Sequence, residues 1–586
     1  MRKRETKALM DVALGHRPAQ LLVENCRLVN VYSGEILDGQ TVATWGERIA
    51  SVGSSRPQTS GATRVIDGKG LFLMPGFIDV HAHLDMFQHP LTLAEAALPT
   101  GTTAAYTESH ETVGALGALG LDLLLDLAGR LPFHLFVGLP PAAPQYPEWE
   151  GDPILSLPQV RRYLRHKRVL GLSEVIPWVR ILAQEDFLLD ELSAAGRLGK
   201  RIEGHTAGAS GARLQALAGA GLTSCHESIT AQEVIDRLRL GLYTMMRHGS
   251  IRADMEELAK AFRDHPDLDT SRVMLTPDTV FPSDLIAHGY MDNLIAVSVE
   301  AGIPPMKAIQ MSTINPATYM RMESHLGGVA PGRYADMVLA PDLRRPRPEM
   351  VICRGEVVAT HGKLLKPFGL SLDAWTRAPW REGRWPKEMP GMEDLRAPAS
   401  VADGSVTLPT IHLGHKVLTQ RREVTLPVRD GAICLDPDQD VVKVAMVNRS
   451  GDGFVKAFVS GIKAPFGGLA STMAHDHHHL MVLGSRDEDM LLAVERLKEI
   501  GGGMAIVDRG RLEAELPCPI GGVQPSAPLT EVASQMNGMA DWLKSRGCPL
   551  ESPLFTIVFM SFASLPALRM TPSGILDVKM GRIIYP

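Results

Sequence analysis

Two histidines one residue apart, His81 and His83, close the apolar run Pro75-Gly76-Phe77-Ile78-Asp79-Val80. Alternate side chains of a strand share a face, so both imidazoles can meet one cation. Four more donors follow, each at the end of its own apolar, strand-like run: Glu174 after residues 169–173, His205 after 200–204, His226 after 221–225 and Asp278 after 273–277. Imidazole and carboxylate donors suit zinc, iron or manganese, and a carboxylate can bridge two ions. Singly, each residue has a plainer reading. A strand-end histidine is more often a hydrogen-bonded structural residue, and a lone Glu or Asp there often caps a helix or sits in a solvated loop. Six such donors arriving in order from successive strand ends form a more specific pattern, that of a metal centre.

The elements that must position these donors are legible as a change of period. Residues 6–15 read as a short helix, and 21–31, 41–45 and 48–52 read as short antiparallel strands separated by Gly-rich breaks. From about residue 73, β-rich runs (102–106, 133–137, 201–205) alternate with helical stretches (116–128, 187–198). That alternation predicts parallel βα units, and residues 75–330 have the length of a (β/α)8 TIM-type barrel, whose active site sits at the C-terminal mouth of the strands. Short strands return at 336–340, 350–353 and 357–360, so a small β-sandwich is expected to form from residues 1–74 and 331–370. Residues 371–420 read as a connector, packed in places because of tryptophans such as that of Ala378-Pro379-Trp380. Residues 421–586, with helices over 487–499 and 529–544, read as a further α+β domain.

Bulk properties bound the class. With 586 residues, 45% hydrophobic, 22% charged and a net charge of −6, the chain is of ordinary globular composition. This balance predicts neither a nucleic-acid phosphate track nor attachment to an acidic membrane surface. No run of about 20 apolar residues predicts a membrane span. Six cysteines without a CxxC pair, and a basic start without a long apolar run, fit a reducing cytoplasm better than a secreted disulfide framework.

The run Pro75-Gly76-Phe77-Ile78-Asp79-x-His81-x-His83 resembles the opening motif of the amidohydrolase superfamily, and Gly327-Gly328-Val329-Ala330-Pro331-Gly332-Arg333-Tyr334-Ala335-Asp336 resembles the segment where that family's chain leaves the barrel. Within it the chain is most similar to adenine deaminases. Gly171-Leu172-Ser173-Glu174-Val175 puts a glutamate where many binuclear relatives carry a carboxylated lysine. Gly101-Thr102-Thr103 with Ser109-His110-Glu111 resembles another stretch of that family. Ala470-Ser471-Thr472-Met473-Ala474-His475-Asp476-His477-His478 with Asp487-Glu488-Asp489-Met490 resembles its C-terminal domain.

The resemblance implies two divalent cations, manganese or iron before zinc, one held by His81, His83 and Asp278, the other by His205 and His226, with Glu174 between them. It implies hydrolytic deamination of adenine to hypoxanthine and ammonia, with Asp278 moving the proton, a small-molecule substrate, and a homo-oligomer, dimer or tetramer. Asp85, His110 and Glu111 are candidates for substrate contact. Alternatively, Glu111 caps a helix and Asp85 supports a ligand histidine. His475, His477 and His478 make up a lid, a further metal site or a structural loop, and the resemblance favours the lid. Departures from the family pattern gather around the substrate: Asp85 stands for a glutamate, Pro277-Asp278-Thr279 for Thr-Asp-Asp, and His205-Thr206-Ala207 for His-Ala-Pro. They keep a second reading open, hydrolysis of another aminated heterocycle or a cyclic amide. A non-catalytic scaffold is the third, and it is disfavoured because all six donor positions are filled.

Overall fold

The computed structural model describes residues 2–585 except 142, 152, 377–390, 415, 436–438 and 450–452. The Trp380 segment of the connector lies outside the described residues. Among the described residues the strands form four sheets.

The central one is an eight-stranded parallel sheet in sequential order: Phe77–Ala82, Thr102–Thr107, His134–Leu139, Val169–Val175, Arg201–Gly204, Ser224–Cys225, Tyr243–Arg247 and Val273–Thr276. Almost every residue of these strands is buried, as expected of strands covered by helices outside and packed side chains inside. The first strand meets the last through a parallel bridge between Ala82 and Asp278. The Thr276 hydroxyl ties the same seam, donating to the His81 carbonyl at 2.5 Å and lying 3.0 Å from Asp79 Oδ1. This is a parallel eight-stranded βα barrel of mixed α/β class, as expected, with a further C-terminal domain.

Two boundaries differ from the sequence reading. The helix over 116–128 is broken, into His110–Leu116 and Ala118–Arg130. The break falls on Gly117, at φ 60° and ψ −139°, a region essentially reserved for glycine. Next to it, a Cβ on Gly120 would lie 2.6 Å from the Thr112 carbonyl, so the two helices meet too closely for any larger residue. The second difference is Gly404–Leu413, which the sequence reading placed in the connector. It pairs with Thr419–Arg429 in an unbroken antiparallel register from Gly404/Val428 to Leu413/Thr419. The C-terminal sheet therefore takes in residues well before 421.

Below the barrel, Leu21–Asn30, Glu35–Trp45 and Arg48–Gly53 join Met337–Ala340, Met350–Cys353 and Glu356–Thr360 in one nine-stranded sheet, stitched where Phe72–Pro75 runs antiparallel to Met337–Ala340. Above it, a second nine-stranded sheet carries the helices Asp487–Ile500 and Leu529–Ser545. Its hydrophobic core is continuous with barrel residues Met86, Phe87 and Ile176. The helix Pro553–Val558 and the turn Phe559–Ser561 press against the barrel mouth. Arg569, fully buried, fixes this segment by donating to the carbonyls of Phe559 (3.1 Å), Val417 (2.9 Å) and Pro566 (3.1 Å). Burial pulls its pKa down to about 9, a cost offset by satisfying carbonyls that would otherwise be orphaned.

The domains touch closely at Gly114, where a Cβ would lie 2.1 Å from the Asp476 carbonyl. Neither backbone can yield, so Gly114→Ala must push the 475–478 loop off the barrel. Hydrogen–deuterium exchange over residues 472–479 is expected to speed up in that variant while the barrel strands stay protected. Unchanged exchange in the loop would mean that the contact does not hold it.

Candidate metal centre

The strands deliver His81 from the first and His83 just past its end, Glu174 from the fourth, and His205 and His226 just beyond the fifth and sixth. Asp278 lies two residues past the eighth with φ at 64°, a left-handed conformation unusual for a side chain with a Cβ. His81, His83 and Asp278 offer three donor atoms within 4.8 Å of one another, and so do Glu174, His205 and His226. The two sets share an edge. Glu174 Oε1 lies 3.4 Å from His83 Nε2, while its Oε2 lies 2.8 Å from His205 Nδ1 and 3.2 Å from His226 Nε2. Asp278 Oδ1 lies 3.4 Å from His83 Nε2 and 3.8 Å from His81 Nε2.

The residues fit divalent metal binding on two grounds. His81 Nε2 is buried in the site without a hydrogen-bond partner, which costs free energy unless something electropositive meets it. The electrostatics point the same way. Burial alone would lower the His81 pKa, but Glu203 and Glu108 raise it well above its ordinary value. Against the same desolvation, Glu174 and Asp278 push His83 up to about 9. Burial and His81 oppose the shift at His226, yet Glu174 and Glu203 raise it to about 10. A field that strong toward the protonated imidazoles is a field that draws cations.

Several participants are not singled out by the sequence reading. Glu203 is fully buried behind the site, with Oε1 2.6 Å from His81 Nδ1 and 3.2 Å from His226 Nδ1. One carboxylate thus aims a histidine of each set and fixes which nitrogen faces the centre. Glu108 adds a second contact to His81 Nδ1 at 3.2 Å and accepts the Glu174 backbone N–H at 2.7 Å. Arg247, at the end of the seventh strand, holds Asp278 Oδ2 at 2.8 Å and also contacts Glu227. Desolvation would raise the Asp278 carboxyl, but Arg247 and His81 hold it well below the usual range. Glu227 in turn takes Arg252 at 2.6 Å. The available signal was charge ending an apolar run, as at Glu203 beside His205, Glu227 beside His226, and Arg247.

A cavity of about 170 Å³ opens onto the centre, with His83, Glu174, His205 and Asp278 in its floor. The three candidate substrate contacts do not line it. Asp85 accepts from the Thr112 backbone N–H and hydroxyl at 2.8 and 2.6 Å, holding the helix that follows the second strand. His110 sits beside His83, ring centroids 6.2 Å apart, and can join it and Glu174 as a donor. Glu111 reaches across to the C-terminal domain, its two oxygens 2.8 Å from His475 Nδ1 and 2.7 Å from His478 Nε2. Burial would raise the Glu111 carboxyl, and these two imidazoles instead hold it well below its ordinary value. Of the histidine run, His475 lines the cavity, His478 stands behind it on Glu111, and His477 faces Asp476 at 3.8 Å.

Glu203→Gln is expected to lower divalent-cation affinity about ten- to a hundredfold in both sets, read as metal content after dialysis against a chelator. Full retention of both ions would remove Glu203 from this role.

The amidohydrolase family model matches residues 72–358, and the model of the adenine deaminase C-terminal domain matches residues 416–582. Adenine deaminase of Moorella thermoacetica is 36% identical over 99% of this chain and 97% of its own length. That of Cenarchaeum symbiosum is 34% identical over 98% and 94%, and one from Clostridium botulinum 33% over 98% and 96%. A barrel whose strand ends converge on two donor sets, a C-terminal domain matched by its own model, and relatives aligned from end to end lead to one conclusion: the chain belongs to the adenine deaminase family, within the amidohydrolases.

Proposed function

We propose that the protein converts adenine and water to hypoxanthine and ammonia at the two-set centre. The observation that carries this reading is Glu174, whose two oxygens face different histidine sets, in a chain aligned over nearly its full length with adenine deaminases. His81, His83 and Asp278 would hold one divalent cation, and His205 and His226 the other, with Glu174 shared. Manganese or iron is the proposed metal, with zinc admissible on the donor chemistry. Such cations supply Lewis acidity that lowers the proton affinity of the attacking water near neutral pH.

The remaining work falls to the chain's own residues. Asp278 Oδ1 faces the centre while Arg247 anchors Oδ2, so Oδ1 is the oxygen placed to accept the proton that water gives up as it adds to carbon 6. Asp278 passes that proton to the ring nitrogen and then carries the proton of the new hydroxyl to the amine, so the carbon–nitrogen bond breaks, ammonia leaves and the oxygen stays on carbon 6 as a carbonyl. Thr279 Oγ1 donates to Asp278 Oδ1 at 3.1 Å and helps to orient it. His475 and the C-terminal segment over the cavity are proposed to act as a lid that keeps bulk water out of this exchange.

All six cysteines carry free thiols, and no helix among the described residues is long and apolar enough to cross a membrane. A cytoplasmic homo-oligomer, dimer or tetramer, is the proposed setting.

The test is ammonia release from adenine by protein loaded in turn with manganese, iron and zinc. Metal-dependent formation of hypoxanthine is expected; two bound ions without turnover would refute adenine and leave another heterocycle. Asp278→Asn is expected to retain some metal and lose activity by about a hundredfold or more, and near-normal turnover would rule it out as the proton carrier. Glu174→Gln is expected to bind less metal. Two full ions in that variant would refute sharing.

A further inference from the structure

At the opposite end of the barrel from the metal centre, three elements bring together a histidine, an aspartate and a cysteine that the deaminase reading does not use. His134 opens the third barrel strand, Asp336 directly precedes Met337–Ala340, and Cys353 ends Met350–Cys353. The side chains of His134 and Asp336 are 5% and 6% exposed, and Cys353 is 2% exposed. One donor atom from each lies within 4.8 Å of the other two. The third strand runs from His134 to Leu139, about 16 Å at about 3.3 Å per residue, so this cluster stands well away from the residues at the barrel mouth.

The backbone orients Asp336. Its Oδ1 accepts the Arg354 N–H at 2.8 Å and its carbonyl accepts the Gly76 N–H at 2.9 Å. That leaves Oδ2, which lies 2.9 Å from His134 Nε2. Neither of these two buried atoms makes a hydrogen bond: the ring nitrogen and the carboxylate oxygen lie side by side, as two ligands of one cation do. Left so in a dry interior they cost free energy, and a shared cation removes that cost. A plain His–Asp pair would align the N–H with the oxygen and has no need of a thiol beside it. Arg354 is the group that must yield. Its Nη2 stands 3.4 Å from His134 Nδ1, the long limit of a hydrogen bond, and it has Glu47 at 3.9 Å to turn to.

The Cys353 thiol lies 3.6 Å from the Pro132 carbonyl. Burial and then Asp336 push its pKa well above the ordinary value, so the sulfur keeps its proton until a cation displaces it into water. A groove of about 920 Å³ has Pro132, Cys353 and Arg354 in its wall. It supplies an entry path and room for a water as fourth ligand.

We infer that His134, Asp336 and Cys353 form a structural site for one thiophilic divalent cation of the zinc type, clamping the third barrel strand to the β-sandwich. A thiolate, an imidazole and a carboxylate suit zinc and disfavour manganese, whereas the donors at the barrel mouth include no sulfur. The chain thus offers two chemically distinct kinds of metal site. This inference does not depend on the deaminase reading.

The experiment saturates the full-length protein with zinc, removes loose metal by gel filtration and counts ions per chain in wild type and Cys353→Ser. The wild type is expected to hold one zinc ion more than the variant, whatever the barrel mouth holds. Cobalt is the second probe: an intense near-ultraviolet thiolate-to-cobalt band is expected in the wild type and absent in Cys353→Ser. Its apparent affinity is expected to rise about tenfold per pH unit above neutrality, because binding releases the thiol proton. His134→Gln, which can still donate to Asp336, reads the same site and is expected to lose the ion if Cys353→Ser does not fold. Basal activity of the manganese-loaded protein is expected to be unchanged in both variants. Equal zinc counts in wild type and variants, or a cobalt-loaded wild type without a thiolate band, would overturn the site and leave the deaminase reading untouched.

Discussion

Negative charge buried at the barrel mouth is the constraint on which the rest depends. Glu174, Asp278, Glu203, Glu108 and Glu227 are all removed from water, and each ionised carboxylate costs several kcal/mol to bury without a partner. The structure answers with imidazoles, two arginines and two sets of donors arranged for cations. Glu203 is the economical part of the answer: one oxygen reaches His81 and His226 together, so the two sets cannot be oriented independently. Asp79 does similar work a layer deeper, where the Tyr290 hydroxyl donates to it at 2.6 Å. Desolvation pushes its carboxyl up to about 7 against the pull of that bond. The seam where the barrel closes thus passes through the same hydrogen-bonded group that carries the first metal-facing strand.

Closing the site requires the C-terminal domain. Glu111 leaves the second barrel strand end and finds both its partners, His475 and His478, across the domain boundary. An ion cluster of this kind specifies one docking geometry, because shifting either backbone would strand a buried charge. Apolar contacts supply the area, since Met86, Phe87 and Ile176 of the barrel share a core with the C-terminal helices. Charge sets the register, hydrophobic burial supplies the drive, and Gly114 admits the approach.

The strand-by-strand character of the barrel was legible because fully covered parallel strands leave a strong apolar signature and because each donor ends such a run. The helix over 116–128 was legible only as one element: period alone does not show that Gly117 breaks it. Gly404–Leu413 was missed for a related reason. Its alternation is carried by Thr, Ser and Pro on the exposed side, and only the partner strand reveals it as half of a ten-residue ladder.

The order in which successive strand ends carry His81, His83, Glu174, His205, His226 and Asp278 was written in local spacing, since a pleated strand converts sequence separation into direction, and the family was legible through the resemblance of its motifs. The tasks of Asp85, Glu111 and Arg247 were not. A carboxylate's role depends on which group lies within about 3 Å, and those neighbours, Thr112, His475 and Asp278, are 27 to several hundred residues away along the chain. The same holds for the aromatic roof: Phe555, Phe559 and Phe562 read as ordinary core residues until the fold places them over the donor floor, whose residues run from His83 to Asp278 far upstream in the chain.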